Sequence, residues 1–188
     1  MTGADPGGGG GGGGGAAPPA PARSTFFFFR NRTGRLVVLC IEPEPGCILD
    51  SAPDFVQFFE DYLGRSEEVR THLGVCHDIC HSAVMFEEQE QAVQVYRDAN
   101  LAIRKVQVSS AVEVDFDQLN SADAKAALTQ LEGFAEPRYL HQSCWNSEGL
   151  ITFFEDLPLA IVALRNAADQ NRLVGKLRVH FHVPIFAE

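Results

Sequence analysis

Glu42, Asp78, His81, His180 and His182 are the side chains of this chain best suited to holding a divalent metal. Carboxylate oxygen and imidazole nitrogen are ligands that Zn2+ and Mn2+ accept. Glu42 follows the apolar run Leu36-Val-Val-Leu-Cys-Ile41 directly, and Asp78 ends Leu73-Gly-Val-Cys-His-Asp78 with His81 three residues on. His180 and His182 are two residues apart within Leu177-Arg-Val-His-Phe-His-Val183, so on a strand they share one face. Gln107, Ser109 and Ser110 close a further run. A carboxylate between apolar flanks needs a compensating partner, and a metal ion supplies one. Structural readings stand beside this one. A strand-end Glu also serves in a salt bridge, an Asp-x-x-His as a helix cap with a surface His, and a His-x-His as two satisfied core residues. Cys76, His77, Cys80 and His81 resemble a zinc knot in type, but no second cysteine pair follows at the spacing such knots use. The strand reading turns Cys76 away from Asp78's neighbours. Glu44 is the second carboxylate near Glu42 and the candidate to move a proton. His141 and Trp145, with Ser109, are candidates for substrate contact, and packing of the aromatic against the fold is the alternative. Neither a Ser-His-Asp nor a Cys-His motif is present.

These residues need elements that bring them to one place. The run 36–41 reads as a strand buried on both faces. Phe55, Phe58, Phe59 and Leu63 recur at helical spacing after Ser51 and Asp54, and Gly64 closes that helix. Residues 73–78 read as a strand, 87–99 as a helix and 103–109 as a strand. Residues 121–131 read as a helix with Ser121 at its N-cap, 157–168 as a helix and 177–183 as the last strand. The alternation implies parallel strands joined by crossovers, hence an α/β fold with its ligand site at the carboxyl ends of the strands. Residues 137–145 and 150–154 flank Asn146-Ser-Glu-Gly149 and predict a β-hairpin inserted beside that site. Four βα segments in about 150 residues fall short of the roughly 250 of a complete (β/α)8 barrel. The expected architecture is therefore a smaller open sheet or a piece of a barrel.

Composition bounds the rest. The chain has 188 residues and a net charge of −10. Residues 1–35 hold four Arg and one Asp, leaving −13 on the remainder, an unfavourable balance for binding a phosphate backbone. Residues 1–34 form a Gly/Pro-rich tail, expected to be disordered, and residues 35–188 the folded domain. Phe26–Phe29 is too short for a secretory signal, and no run is long enough to span a membrane. The expected location is cytoplasmic, with organelle targeting by the Arg- and Ala-containing tail as the alternative. Five cysteines without an export signal read as reduced thiols.

Five segments carry a family resemblance: Ile41-Glu-Pro-Glu-Pro-Gly-Cys47, Leu73–Val84, Lys105–Ala111, Arg138-Tyr-Leu-His-Gln142 and Val179–Phe186. In order along residues 35–188, they resemble the EboE metabolite-traffic family. That family belongs to the xylose-isomerase-like barrel superfamily, which includes endonuclease IV and sugar epimerases. The resemblance implies a partial TIM (β/α)8 barrel, about strands four to seven, with an inserted β-hairpin. It implies metal positions at Glu42, Asp78, His81, His180 and His182. It also places Gln107 where relatives carry a His, a weaker neutral ligand that favours one metal or none. Three functions follow as expectations. The first is a Zn- or Mn-dependent isomerase-like or hydrolase-like enzyme acting on a small polyol or prenylated metabolite precursor. The second is a metabolite-binding protein without turnover. The third is a fragment that associates through exposed sheet edges.

Overall fold

The computed structural model describes residues 21–64 and 66–183. The glycine run of the tail lies outside these residues. Helix α1 spans Pro21–Thr33, inside the segment that composition assigns to the tail. The phenylalanines supply its reason to dock: the Phe26 ring stacks on His72 at 5.7 Å.

The fold is mixed α/β, with two sheets. In the first, β1 (Leu39–Ile41), β2 (Leu73–Asp78) and β3 (Ile103–Gln107) run parallel in that order. Parallel neighbours need long crossovers. The first crossover holds α2 (Ala52–Phe58), a π-helical turn (Phe59–Leu63) and α3 (Glu67–His72). The second holds α4 (Ile79–Val84) and α5 (Gln89–Asp98). Ser51 caps α2 by accepting from the Asp54 amide, and Gly64 at φ 67° ends the π turn. Ala52, Phe55, Phe59, Val69, Val75, Ala92, Tyr96 and Leu101 fill the core on this side. The first strand is shorter than its apolar run. It pairs on one side only, and Leu39 is 51% exposed rather than buried on both faces.

The second sheet departs from the expected parallel series. The chain runs from β3 through Val108 and Ser109 straight into β4 (Ser110–Asp115), with no helix between them. The predicted hairpin is β5 (Ser143–Ser147) and β6 (Leu150–Phe154), turning at Glu148 and Gly149, both at positive φ. It is not an ornament on a barrel. It joins β4 and β7 (Lys176–Val183) in one antiparallel sheet of order β4-β7-β5-β6. The last strand is therefore antiparallel to both neighbours, Glu113 facing Arg178 and Cys144 facing Arg178 from the other side. Helices α6 (Ser121–Glu132) and α7 (Leu157–Asp169) cover this sheet, with Leu128, Leu131, Leu157, Leu164, Leu177 and Val179 at its core. Asn120, not Ser121, caps α6, and Asp156 caps α7. Neither sheet closes on itself among the described residues.

Helix α4 joins the halves. Cys80 and Val84 pack against Cys144 of β5, with Met85, Phe86, Ala111 and Phe153 around them. Its N-terminus grows directly from the end of β2, so whatever ends that strand stands at the seam between the two sheets.

Candidate metal centre

Asp78 is that residue. It ends β2, is almost fully buried, and caps α4. Its Oδ1 accepts from the backbone of Cys80 at 2.7 Å and of His81 at 3.3 Å, and from Ser109 Oγ at 3.2 Å. One turn into α4, the buried His81 faces back to the same point. Glu42 arrives from the end of the adjacent strand β1. One ligand atom from each of Glu42, Asp78 and His81 lies within 4.8 Å of the others. Parallel register puts these strand ends side by side, as the α/β rule requires.

The donor set fits a divalent cation: two carboxylates to balance the charge and one imidazole. His81 Nδ1 is 2.8 Å from the Pro43 carbonyl and 3.5 Å from Glu42 Oε1. A carbonyl only accepts, so Nδ1 carries the proton. Ligation through Nε2 preserves that bond, and the oriented backbone partner is the kind of support that metal-bound histidines use. Ligation through Nδ1 would break it.

Gln107, on the third strand, enters between the acids but with its nitrogen. Nε2 donates to Glu42 Oε1 and to Asp78 Oδ2, the latter at 3.0 Å. As oriented, Gln107 is a donor to the carboxylates and not a ligand. Its oxygen is engaged as well: Lys105 Nζ donates to Gln107 Oε1 at 3.1 Å.

The remaining candidates divide. The His180 ring meets the His81 ring edge-on at 4.8 Å, so the second sheet does reach the cluster. His180 Nδ1 donates to Gln142 Oε1 at 2.6 Å, and Gln142 Nε2 donates to Glu44 Oε1 at 3.0 Å. Glu44 is thus linked to His180 through Gln142. For His182 the backbone lies in β7, while its side chain falls outside the described residues. Ser109 commits its hydroxyl proton to Asp78. His141 is buried, its Nδ1 donating to the Tyr139 carbonyl at 3.0 Å and its ring against Phe181 at 4.3 Å. Trp145 lies elsewhere. Its Nε1 donates to the Val174 carbonyl at 2.8 Å, and it lines a pocket with α7 residues such as Ala163 and Asn166.

A pocket of about 500 Å3 adjoins the cluster on the His180 side. Tyr139, Leu140 and Phe181 give it apolar walls, and Glu44, Gln142 and His180 a polar edge. Beneath the cluster, a cavity of about 10 Å3 bordered by His77, Asp78, His81 and Glu87 has room for a single water.

Other neighbours surround the cluster. Gln142 lay in a recognisable segment but carries no charge to mark it. Cys76, two residues before Asp78 on β2, shares its side of the strand, against expectation, with the Glu42 charge nearby. Burial first, then Glu42, pushes its thiol up to about 11; burial and Asp78 push Cys80 up to about 12. Both are neutral thiols at pH 7 without a bound metal. Asp50, Asp54 and Glu87 form an acidic group nearby. Burial, and then the hydrogen bond and charge of Asp54, raise Asp50 to about 6.

Fold and site define an α/β protein with an acid–acid–histidine cluster where a parallel and an antiparallel sheet meet. Comparison with family models, curated proteins and solved structures finds no match to this chain. No helix among the described residues is long and apolar enough to cross a membrane.

Proposed function

We propose that the chain is a divalent-metal protein acting on a small metabolite, with Glu42, Asp78 and His81 as the ligands. The convergence of these three side chains from two strand ends and one helix turn carries this reading. The bound ion, Zn2+ or Mn2+, would polarise a carbonyl or hydroxyl oxygen of the substrate. The chain's own groups do the rest. Tyr139, Leu140 and Phe181 offer apolar contact to the body of a substrate. His180, its tautomer set through Gln142 and Glu44, presents a proton-handling group at the pocket's edge. Glu44 acts through that relay as a positioning residue.

The reaction class we favour is isomerase-like or hydrolase-like, and the partner a small molecule. The acidic surface argues against nucleic acid. The parallel β1–β2–β3 sheet with its acidic strand ends supports kinship with the xylose-isomerase-like barrels, and with the EboE family among them. The antiparallel β7 does not follow that pattern. One observation favours a second reading, metabolite binding without turnover: the Gln107 amide already neutralises both acids in part.

The test is metal analysis of purified protein beside Glu42→Gln and His81→Ala. One equivalent of Mn2+ or Zn2+ on wild type, lost in both variants, is the expected result. Folded wild type that takes up neither ion removes the metal centre.

A further inference from the structure

The Gln107 amide sits where a cation would be drawn. Its NH2 group has two protons, and two carboxylates take them. At the other end, Oε1 accepts from Lys105 Nζ. Lys105 and Gln107 are two residues apart on β3, so they rise from one side of the strand. The amide therefore has a direction: nitrogen toward two anions, oxygen toward one cation. Turned over, it would face oxygen against carboxylates and nitrogen against ammonium, unfavourable at both ends.

A metal ion asks for the turned amide, because it binds the carbonyl oxygen and never the NH2. Resting on the metal-centre reading above, we propose that Lys105 and Gln107 form a latch that holds Glu42 and Asp78 closed in the metal-free protein and sets the affinity of the site for divalent cations. The amide keeps the two carboxylates from repelling each other while no ion is there. Ion entry displaces or reverses it. Lys105 governs how costly that is, since its ammonium rewards only the closed direction. The latch discriminates as well. An ion that accepts a hard carbonyl oxygen can recruit the turned amide, whereas one content with three protein ligands must push it aside.

Calorimetric titration of the full chain with Mn2+, and separately with Zn2+, tests this. Lys105→Met keeps the aliphatic stem of an exposed side chain and removes the ammonium. It should bind metal about tenfold more tightly, the scale of one hydrogen bond to a charged group. Gln107→His replaces the latch by a nitrogen ligand and should bind more tightly still. Gln107→Ala should melt earlier than wild type without metal and gain more from added metal, a readout independent of any activity. Equal affinities in wild type, Lys105→Met and Gln107→His would overturn the latch and leave the metal centre standing. Absence of stoichiometric metal in every variant, Gln107→His included, would remove the metal centre and the latch with it.

Discussion

The two oxygens of Asp78 have separate duties. Oδ1 satisfies the first amides of α4 and the Ser109 hydroxyl, while Oδ2 faces Gln107 and the cluster. Folding and chemistry thus draw on opposite ends of one carboxylate. Asp78→Asn keeps an oxygen for the cap, and Asp78→Ala does not. Urea denaturation should find Asp78→Ala less stable than Asp78→Asn by about 1 kcal/mol, the worth of an N-cap. Both should lose the metal. Equal stabilities would show that the cap contributes nothing. The nearness of Glu42, Asp78 and His81 was legible in the sequence because each lies at or just beyond the end of a recognisable strand, and strand ends of a parallel sheet converge. Gln107 was legible in position and not in role. Whether an amide offers nitrogen or oxygen depends on a neighbour, here Lys105, that spacing does not single out. Trp145 packs against the core of the second sheet, the alternative that stood beside substrate contact, and an aromatic on a hairpin reads the same whichever side of the sheet it joins.

At the level of elements, the loop after β1 sets where Glu42 and Glu44 stand. Gly46 in that loop has φ 76°, and a Cβ there would lie 2.2 Å from the Phe153 ring of β6. Phe153 in turn packs on α4. Gly46→Ala should therefore cost about 1–2 kcal/mol from backbone strain alone. It should also weaken metal binding, although residue 46 touches no ligand. Thermal melts and metal titration of the same variant check both; unchanged metal affinity would show the loop to be independent of the hairpin. Most elements were readable from apolar periodicity, β2 and β6 to the residue. Partner and direction were not. A run such as residues 177–183 specifies a strand, but its antiparallel setting follows from β4 continuing β3 without a crossover. An apolar run carries no trace of that connection.

Over the whole molecule, acids outnumber bases, and the Asp50 group concentrates the excess beside the cluster. Asp50 rises to about 6 from an ordinary 3.8. Between those values the folded protein holds a proton that the unfolded chain has lost. Stability from this group is full below about pH 4 and falls as pH rises through 6. For a half-buried group, screened by solvent, the loss is about 1 kcal/mol. Denaturation at pH 4.5 and pH 7 should show wild type losing more than Asp50→Asn over that interval; identical slopes would exclude Asp50 as the source. The sheets also leave edges. Leu39 on the first strand and Leu150 and Ile151 on β6 are 51%, 73% and 42% exposed, and open edges of this kind invite pairing with other chains. The two sheets differ in when they become available. The parallel sheet needs nothing beyond Gln107, so a chain leaving the ribosome can assemble Glu42, Asp78 and His81 while later residues are still being added. The antiparallel sheet has β7 at an inner position, between β4 and β5. Until residues 176–183 emerge, β4 and the hairpin have no strand to join them, and His180 has not reached His81. Synthesis therefore delivers Glu42, Asp78 and His81 first and the pocket wall last, and an interrupted chain would carry the acid–acid–histidine cluster open on one side.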